Sequence, residues 1–286
     1  MGGLDAKALE SALSKKDALP PCPEVVVRVA KLCADETASS LDIGRAIMAD
    51  EAISAKLIRL ANSAFYGLSG RVSTVTQAAI ILGTNEIRSI VCALPARDLF
   101  AERGAEGGID LSSLWSHSAR VAVLARELAY SLRHEHAEEV FVGGIFHDIG
   151  QVILSGLLSK QYQDLHLEVW RAGADLASCE RERLGMTHAD VGKRLVEKWN
   201  FPGVLSGAVA LHHSPERAMA ESTAAMLVFA ANRLDVSGFF DAPEKAGESL
   251  PGEYRERLPQ GEDLVRVAAK AADAYEGIMQ ELGLSG

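Results

Sequence analysis

The stretch Gly143-Gly144-Ile145-Phe146-His147-Asp148-Ile149-Gly150-Gln151 sets an imidazole beside a carboxylate inside an apolar run. An ionised carboxylate held away from water is costly unless it is paired, hydrogen-bonded or bound to a metal. Other polar residues lie on apolar helix faces. His117 precedes Val121, Leu124 and Leu128 at helical spacing. His188 shares a face with Val191, Leu195 and Trp199, and His212 follows Leu205, Ala208 and Val209. Asn232 falls with Ala225, Val228, Phe229 and Val236. Residues spaced in this way project to one side of a helix. One such histidine is ordinarily a hydrogen-bonded core residue. Several of them together with a buried aspartate point to metal binding. Neutral imidazole is the commonest metal ligand, and a carboxylate neutralises charge and can bridge two ions. Adjacent residues on a helix diverge by about 100°. His147 and Asp148 therefore meet one centre only at a helix end, or grip two ions from one side. His212 and His213 pose the same geometry. His134, His136 and His166 sit among polar residues and receive no role.

These residues lie on separate predicted helices, and such side chains converge at the centre of a bundle. Helical periodicity dominates the chain, and no stretch alternates as a strand would. In the N-terminal half, a helix opens after Pro21-Cys22-Pro23, with Val25, Val29 and Leu32 on one face. Asp50 caps the next, with Ile53, Leu57 and Leu60 inward, and Thr74 starts another that Gly83 stops. Thr84 caps a helix expected to end near Pro95. Residues 102–110, rich in glycine and charge, read as a connector. The second half predicts helices at 112–133, 137–146, 147–155, 159–172, 175–184, 188–200, 203–212 and 221–236. Residues 241–263, with three prolines and many charges, read as a loop, and a last helix is expected over 264–282. The expected fold class is all-α, with an N-terminal helical part (1–108) and a helical bundle with a C-terminal extension (109–286).

A chain of 286 residues can bury a sizeable core. Its net charge of −10 and lack of a Lys/Arg cluster argue against nucleic acid as a partner. Cys22, Cys33, Cys92 and Cys179 are widely and irregularly spaced. They read as reduced thiols of a cytoplasmic protein, neither a disulfide frame nor a zinc knuckle. No signal-peptide pattern is present, and no apolar run is expected to reach the ~18–20 residues of a membrane helix.

With these residues in view, the sequence resembles the HDOD domain, an HD-related output domain of bacterial signalling proteins. The resemblance covers about 19–235 and rests on LPPCPEVVVRV, KLIRLANSAFYG, QAAIILGTNEIRSIV, LWSHSARVAVLARELA, VGGIFHDIGQVIL and MTHADVGKRLVEKWNFP. It implies an all-α fold, with an N-terminal helical part packed on an HD-like bundle. In LIRLANSAFYG, Asn62 and Ser63 read locally as a helix end closed by Gly67. The resemblance adds that this segment packs the N-terminal part on the bundle.

Catalytic HD proteins hold divalent metals with a His, a His-Asp pair, later histidines and a late Asp, and the metals activate water against a phosphoester. By position, the first His resembles His117, the pair resembles His147-Asp148, and the later ones resemble His188, His212 and His213. The late Asp falls at Asn232, a poorer, uncharged ligand. Gln151 stands where HD-GYP phosphodiesterases have a lysine, Ser113 where they have a carboxylate, and their GYP loop is replaced by HHSPERAMAE. The resemblance thus implies a signal-transduction module with a site for iron, manganese, zinc or nickel and unidentified signalling partners. The rival reading is a metal-dependent phosphohydrolase, and a third is a scaffold whose polar core is held by hydrogen bonds and water. No receiver, kinase or DNA-binding motif accompanies the domain, so its input is expected from a separate molecule.

Overall fold

In the computed structural model, the structure is described for residues 6–15, 18–33, 35, 37–62, 72–104 and 109–281. The chain is 77% helical, with no strand among the described residues. The first helices are α1 (Ala6–Leu13), α2 (Glu24–Cys33), α3 (Ser40–Met48), α4 (Glu51–Ala61), α5 (Val75–Leu82) and α6 (Thr84–Gly104). Then come α7 (Leu111–Ser131), α8 (Ala137–Phe146), α9 (Ile149–Leu158), α10 (Lys160–Ala172), α11 (Leu176–Leu184) and α12 (His188–Lys198). The series closes with α13 (Gly203–Leu211), α14 (Pro215–Glu221), α15 (Thr223–Val236), α16 (Pro243–Gly247), α17 (Gly252–Arg257) and α18 (Glu262–Glu281).

Local chemistry sets many of these ends. The Asp50 carboxylate accepts from the Ile53 amide at 2.9 Å at the start of α4. Thr74 accepts from Gln77 to open α5, and Gly83 closes it at φ +82°, where a side chain would be strained. Thr187 and Asp190 form a reciprocal capping box that fixes the start of α12, directly at His188. The Asn62 amide closes α4 differently from a simple helix end. It donates to the Val72 carbonyl at 2.6 Å and accepts from the Val72 amide at 3.0 Å, clasping the approach to α5. Residues 63–67 of LIRLANSAFYG, Ser63 and Gly67 among them, lie outside the described residues.

Three expectations are corrected. The helix expected to stop near Pro95 continues to Gly104 as α6. Proline removes a backbone donor, but burial of Ala96 and Phe100 beyond it keeps this helix seated on the core. The loop expected at 241–263 contains the short helices α16 and α17, with Pro243 in the first turn of α16. Third, residues Ala137–Leu158 are long and apolar enough by composition to cross a membrane, yet 89% of that window is buried inside the fold. It comprises α8 and α9, the central helices of the bundle, rather than an exposed span.

One apolar core runs from Leu9 to Ala274. Two glycines decide how closely its central helices approach. A Cβ at Gly144 of α8 would lie 2.4 Å from the Ala122 Cα of α7. A Cβ at Gly150 of α9 would lie 1.9 Å from the His188 carbonyl oxygen of α12. Only glycine permits either contact. The first seats His147 beside His117, and the second seats Asp148 beside His188.

Candidate metal centre

His147 and Asp148 occupy the break between α8 and α9. His147 ends α8, and Asp148 (φ −100°, ψ 7°) precedes α9. The chain turns there, which answers how adjacent side chains reach one place. His117 comes from α7, His188 from the first turn of α12, and His212 and His213 from the end of α13. His147, His188 and His212 are fully buried, Asp148 is 5% exposed, and His213 lies at the solvent edge.

The cluster has two halves that share Asp148. His117, His147 and Asp148 form one set of convergent ligand atoms, and Asp148, His188, His212 and His213 form the other. Asp148 Oδ2 lies 3.3 Å from His147 Nε2 and 3.6 Å from His117 Nε2. Oδ1 lies 3.1 Å from His188 Nε2 and 3.4 Å from His212 Nε2. The structure therefore groups six of the seven residues singled out from the sequence, around two points rather than one.

The outer ring nitrogens explain what faces inward. His117 Nδ1 lies 2.7 Å from Asp235 Oδ2, and His188 Nδ1 lies 2.7 Å from Glu180 Oε2. His147 Nδ1 and His212 Nδ1 each lie 2.7 Å from a carbonyl oxygen, of Gly144 and Val209. A carboxylate or carbonyl only accepts, so each Nδ1 carries the proton. In their neutral form these four rings each present an Nε2 lone pair to the centre. Yet His147 and His117 bring their Nε2 atoms to 3.2 Å, as do His188 and His212, while His188 and His213 approach to 2.9 Å. Lone pairs at such distances repel unless a proton or cation lies between them. Asp148 Oδ1 is buried, and it faces the ring nitrogens of His188 and His212. Inward lone pairs around a buried carboxylate, with four of the five rings fixed from behind, are the donor chemistry of a divalent-metal site. The residues present fit such an ion.

The electrostatics agree. Burial opposes charge on Asp148, but the surrounding imidazoles, His147 first, outweigh it and hold the carboxyl well below the usual range. Burial also opposes charge on His188, but Glu180 and Asp148 outweigh it and raise the imidazole to about 10. Burial pushes His212 down to about 4. Without a cation, one proton on His188 partly compensates the paired carboxylates. A metal ion would replace it.

Two supporting carboxylates were missed in the sequence. Asp235, not Asn232, is the acid that α15 brings to His117. Arg120 fixes it with bonds of 2.6 and 3.2 Å. Asn232 lies one turn earlier, lining a cleft of about 700 Å³ with His212, His213, Asp175 and Arg233. No hydrogen bond joins it to the cluster among the described residues. Asn232 therefore stands apart from the ligand set, and Asp235 acts on it from behind His117. Glu180, fully buried on α11, accepts from the His188 amide at 2.8 Å and from the Tyr162 hydroxyl. Gln151 is buried in the first turn of α9, and Ser113 is bound into the Asp110 cap of α7. Of the cysteines, Cys22, Cys92 and Cys179 form no disulfide among the described residues, and none belongs to the cluster.

Among the described residues the fold is all-helical, and Asp148 is shared between two histidine sets. The chain belongs to the HDOD domain family, whose model matches residues 19–215. It is similar to an HDOD domain protein from Geobacter sulfurreducens, with a TM-score of 0.78 and 21% identity over 96% of each chain. A Shewanella amazonensis SB2B protein, described as a candidate phosphohydrolase, superposes with a TM-score of 0.75 at 25% identity. That match covers 95% of this chain and 98% of the other. An uncharacterized protein of Treponema pallidum (strain Nichols) is 20% identical over 211 residues, 73% of this chain. The chain spans 40% of that relative's length.

Proposed function

We propose that this protein is a cytoplasmic bacterial signal-transduction module whose HD-like bundle holds a two-ion metal centre. The observation that carries the metal reading is the set of Nδ1 atoms occupied by acceptors, which leaves the Nε2 lone pairs converging on Asp148. His117, His147 and Asp148 would hold one ion, and Asp148, His188, His212 and His213 the other. Asp235 and Glu180 act from behind the rings, fixing tautomer and orientation and raising ligand basicity. Iron, manganese, zinc and nickel all suit a histidine-rich set with a carboxylate bridge. Signalling proteins are the expected partners.

Two features support a regulatory role over hydrolysis. Gln151 offers no positive charge where related phosphodiesterases place a lysine. Arg120, the cation nearest His117, is spent on Asp235. A phosphoester bound here would lack a free cationic side chain at the pair.

A second reading, a metal-dependent phosphohydrolase, draws support from the open cleft beside His213, with Arg233 on its wall. A bound ion would lower the pKa of a coordinated water and polarise a phosphoryl oxygen. The chain itself would place Arg233 toward an anion, with Phe229 and Val236 as apolar walls. The deciding experiment is turnover of cyclic dinucleotides and simple phosphoesters by protein loaded with manganese, iron or nickel. Weak or absent turnover is expected. Robust turnover by the wild type that His147→Ala abolishes would replace the module reading with the hydrolase.

A further inference from the structure

A second cavity, of about 320 Å³, lies away from the histidines, where α2 and α6 meet α8 and the turn between α12 and α13. Val27, Ala30, Val142, Leu205, Trp199 and Phe201 give it mainly apolar walls. Five polar residues interrupt them: Ser89, Lys31, Asn200, and Arg88 with its partner Glu139. Ser89 on α6 is 2% exposed, and its hydroxyl has no hydrogen-bond partner. Buried hydroxyls are nearly always satisfied, so this one marks a place where an acceptor is expected. Lys31, near the end of α2, is exposed and lines the same cavity. The neighbouring Arg88 is paired with Glu139 and adds no net charge. A concave, mainly apolar space with a few polar groups is the ordinary form of a small-molecule site.

We propose that this cavity binds a small amphiphilic carboxylate. Its apolar body lies among Val27, Val142 and Trp199, and its carboxylate reaches Lys31 and the Ser89 hydroxyl. The site is placed to influence the metal centre. Trp199 and Phe201 line the cavity, and both pack edge-on against Phe146, at 5.7 and 5.6 Å between ring centres. Phe146 immediately precedes His147. An occupant also touches α2 and α6 on one wall and α8 on the other, so it tightens contacts between these helices. The cavity thus supplies an input site for a signalling domain. Its binding is measured without metal, so it stands or falls separately from the metal reading.

The test is calorimetric titration of the full chain, in chelator, with octanoate and with octanol. Octanoate should bind saturably at one site per chain, and octanol more weakly. Lys31→Glu, a surface change, should weaken octanoate by ~5-fold, as loss of an exposed charge contact allows. Ala30→Phe, at a half-buried position, should fill the space and abolish binding while a thermal melt reports an intact fold. If that variant does not fold, Lys31→Glu and octanol still decide the matter. The proposal is overturned by no saturable octanoate binding up to about 1 mM. Octanol binding as tight as octanoate overturns it, as does unchanged binding in folded Ala30→Phe or in Lys31→Glu.

Discussion

His117 Nδ1 lies 2.7 Å from Asp235 Oδ2, across the interface of α7 and α15. The two residues are far apart in sequence, and the contact fixes the tautomer of the histidine from outside the centre. Asp235→Asn keeps the shape but removes the charge that pairs with Arg120. Removing an acid of this kind typically costs 10–100-fold in metal affinity. Metal titration of the variant should show that loss confined to one of the two sites. Equal loss at both sites would contradict the division of the cluster.

Glu180 plays the matching part for His188, and Tyr162 donates to it from α10. Tyr162→Phe removes that hydroxyl while keeping the ring. It should weaken the site of His188, His212 and His213 by a smaller factor than Glu180→Gln. A larger effect for Tyr162→Phe would mean that the tyrosine acts on the metal directly.

The metal-free protein should be most stable near pH ~6.5, the ordinary imidazole pKa. His212, held at about 4 by burial, must take a proton in the unfolded chain before it does in the folded one. Stability therefore falls as pH drops from ~6.5 to 4, by up to ~3 kcal/mol from this group. Asp148 and Asp235, both held low in the fold, add to the loss at still lower pH, as protonation removes their charge. His188, raised to about 10, acts in the opposite sense. Its contribution is complete below ~6.5 and is lost as pH rises toward 10. Thermal melts in chelator across this range measure both limbs. His188→Asn should remove the alkaline decline, and a decline that persists would assign it elsewhere.

Gly150→Ala tests the close approach of α9 and α12. The added methyl would lie 1.9 Å from the His188 carbonyl oxygen, so the helices must part. Destabilisation of ~1–3 kcal/mol is expected from such overpacking. Metal affinity should fall as well, because Asp148 and His188 separate. Loss of stability without loss of affinity would show that the ligands do not depend on this contact.

Much of the frame was legible because helical periodicity is strong where a helix buries one face. His188 and His212 are buried and His117 is half-buried, as their apolar neighbours indicate. Helix ends carried by Asp50, Thr74 and Gly83 were equally plain, since capping is local chemistry. Pro95 misled because tertiary burial overrode a local break. Glu180 was hidden in Glu180-Arg181-Glu182-Arg183, where one buried charge looks like its solvated neighbours. Asp235 was passed over because family likeness put the late acid at position 232. Its partners His117 and Arg120 lie on another helix, and pairing across a bundle leaves no trace in local spacing. The helical position of Asp235, three residues after Asn232, was the available signal.

The central claim is that the chain binds two divalent ions through a shared Asp148. Metal content per chain, measured by elemental analysis after loading with manganese, iron, zinc or nickel and removal of excess, tests it most directly. The account predicts two ions per chain in the wild type and at most one, weakly held, in Asp148→Ala. It also predicts a melting temperature that chelator lowers in the wild type and leaves unchanged in that variant. No retained metal in the wild type, with identical melts in chelator and in excess metal, would contradict it.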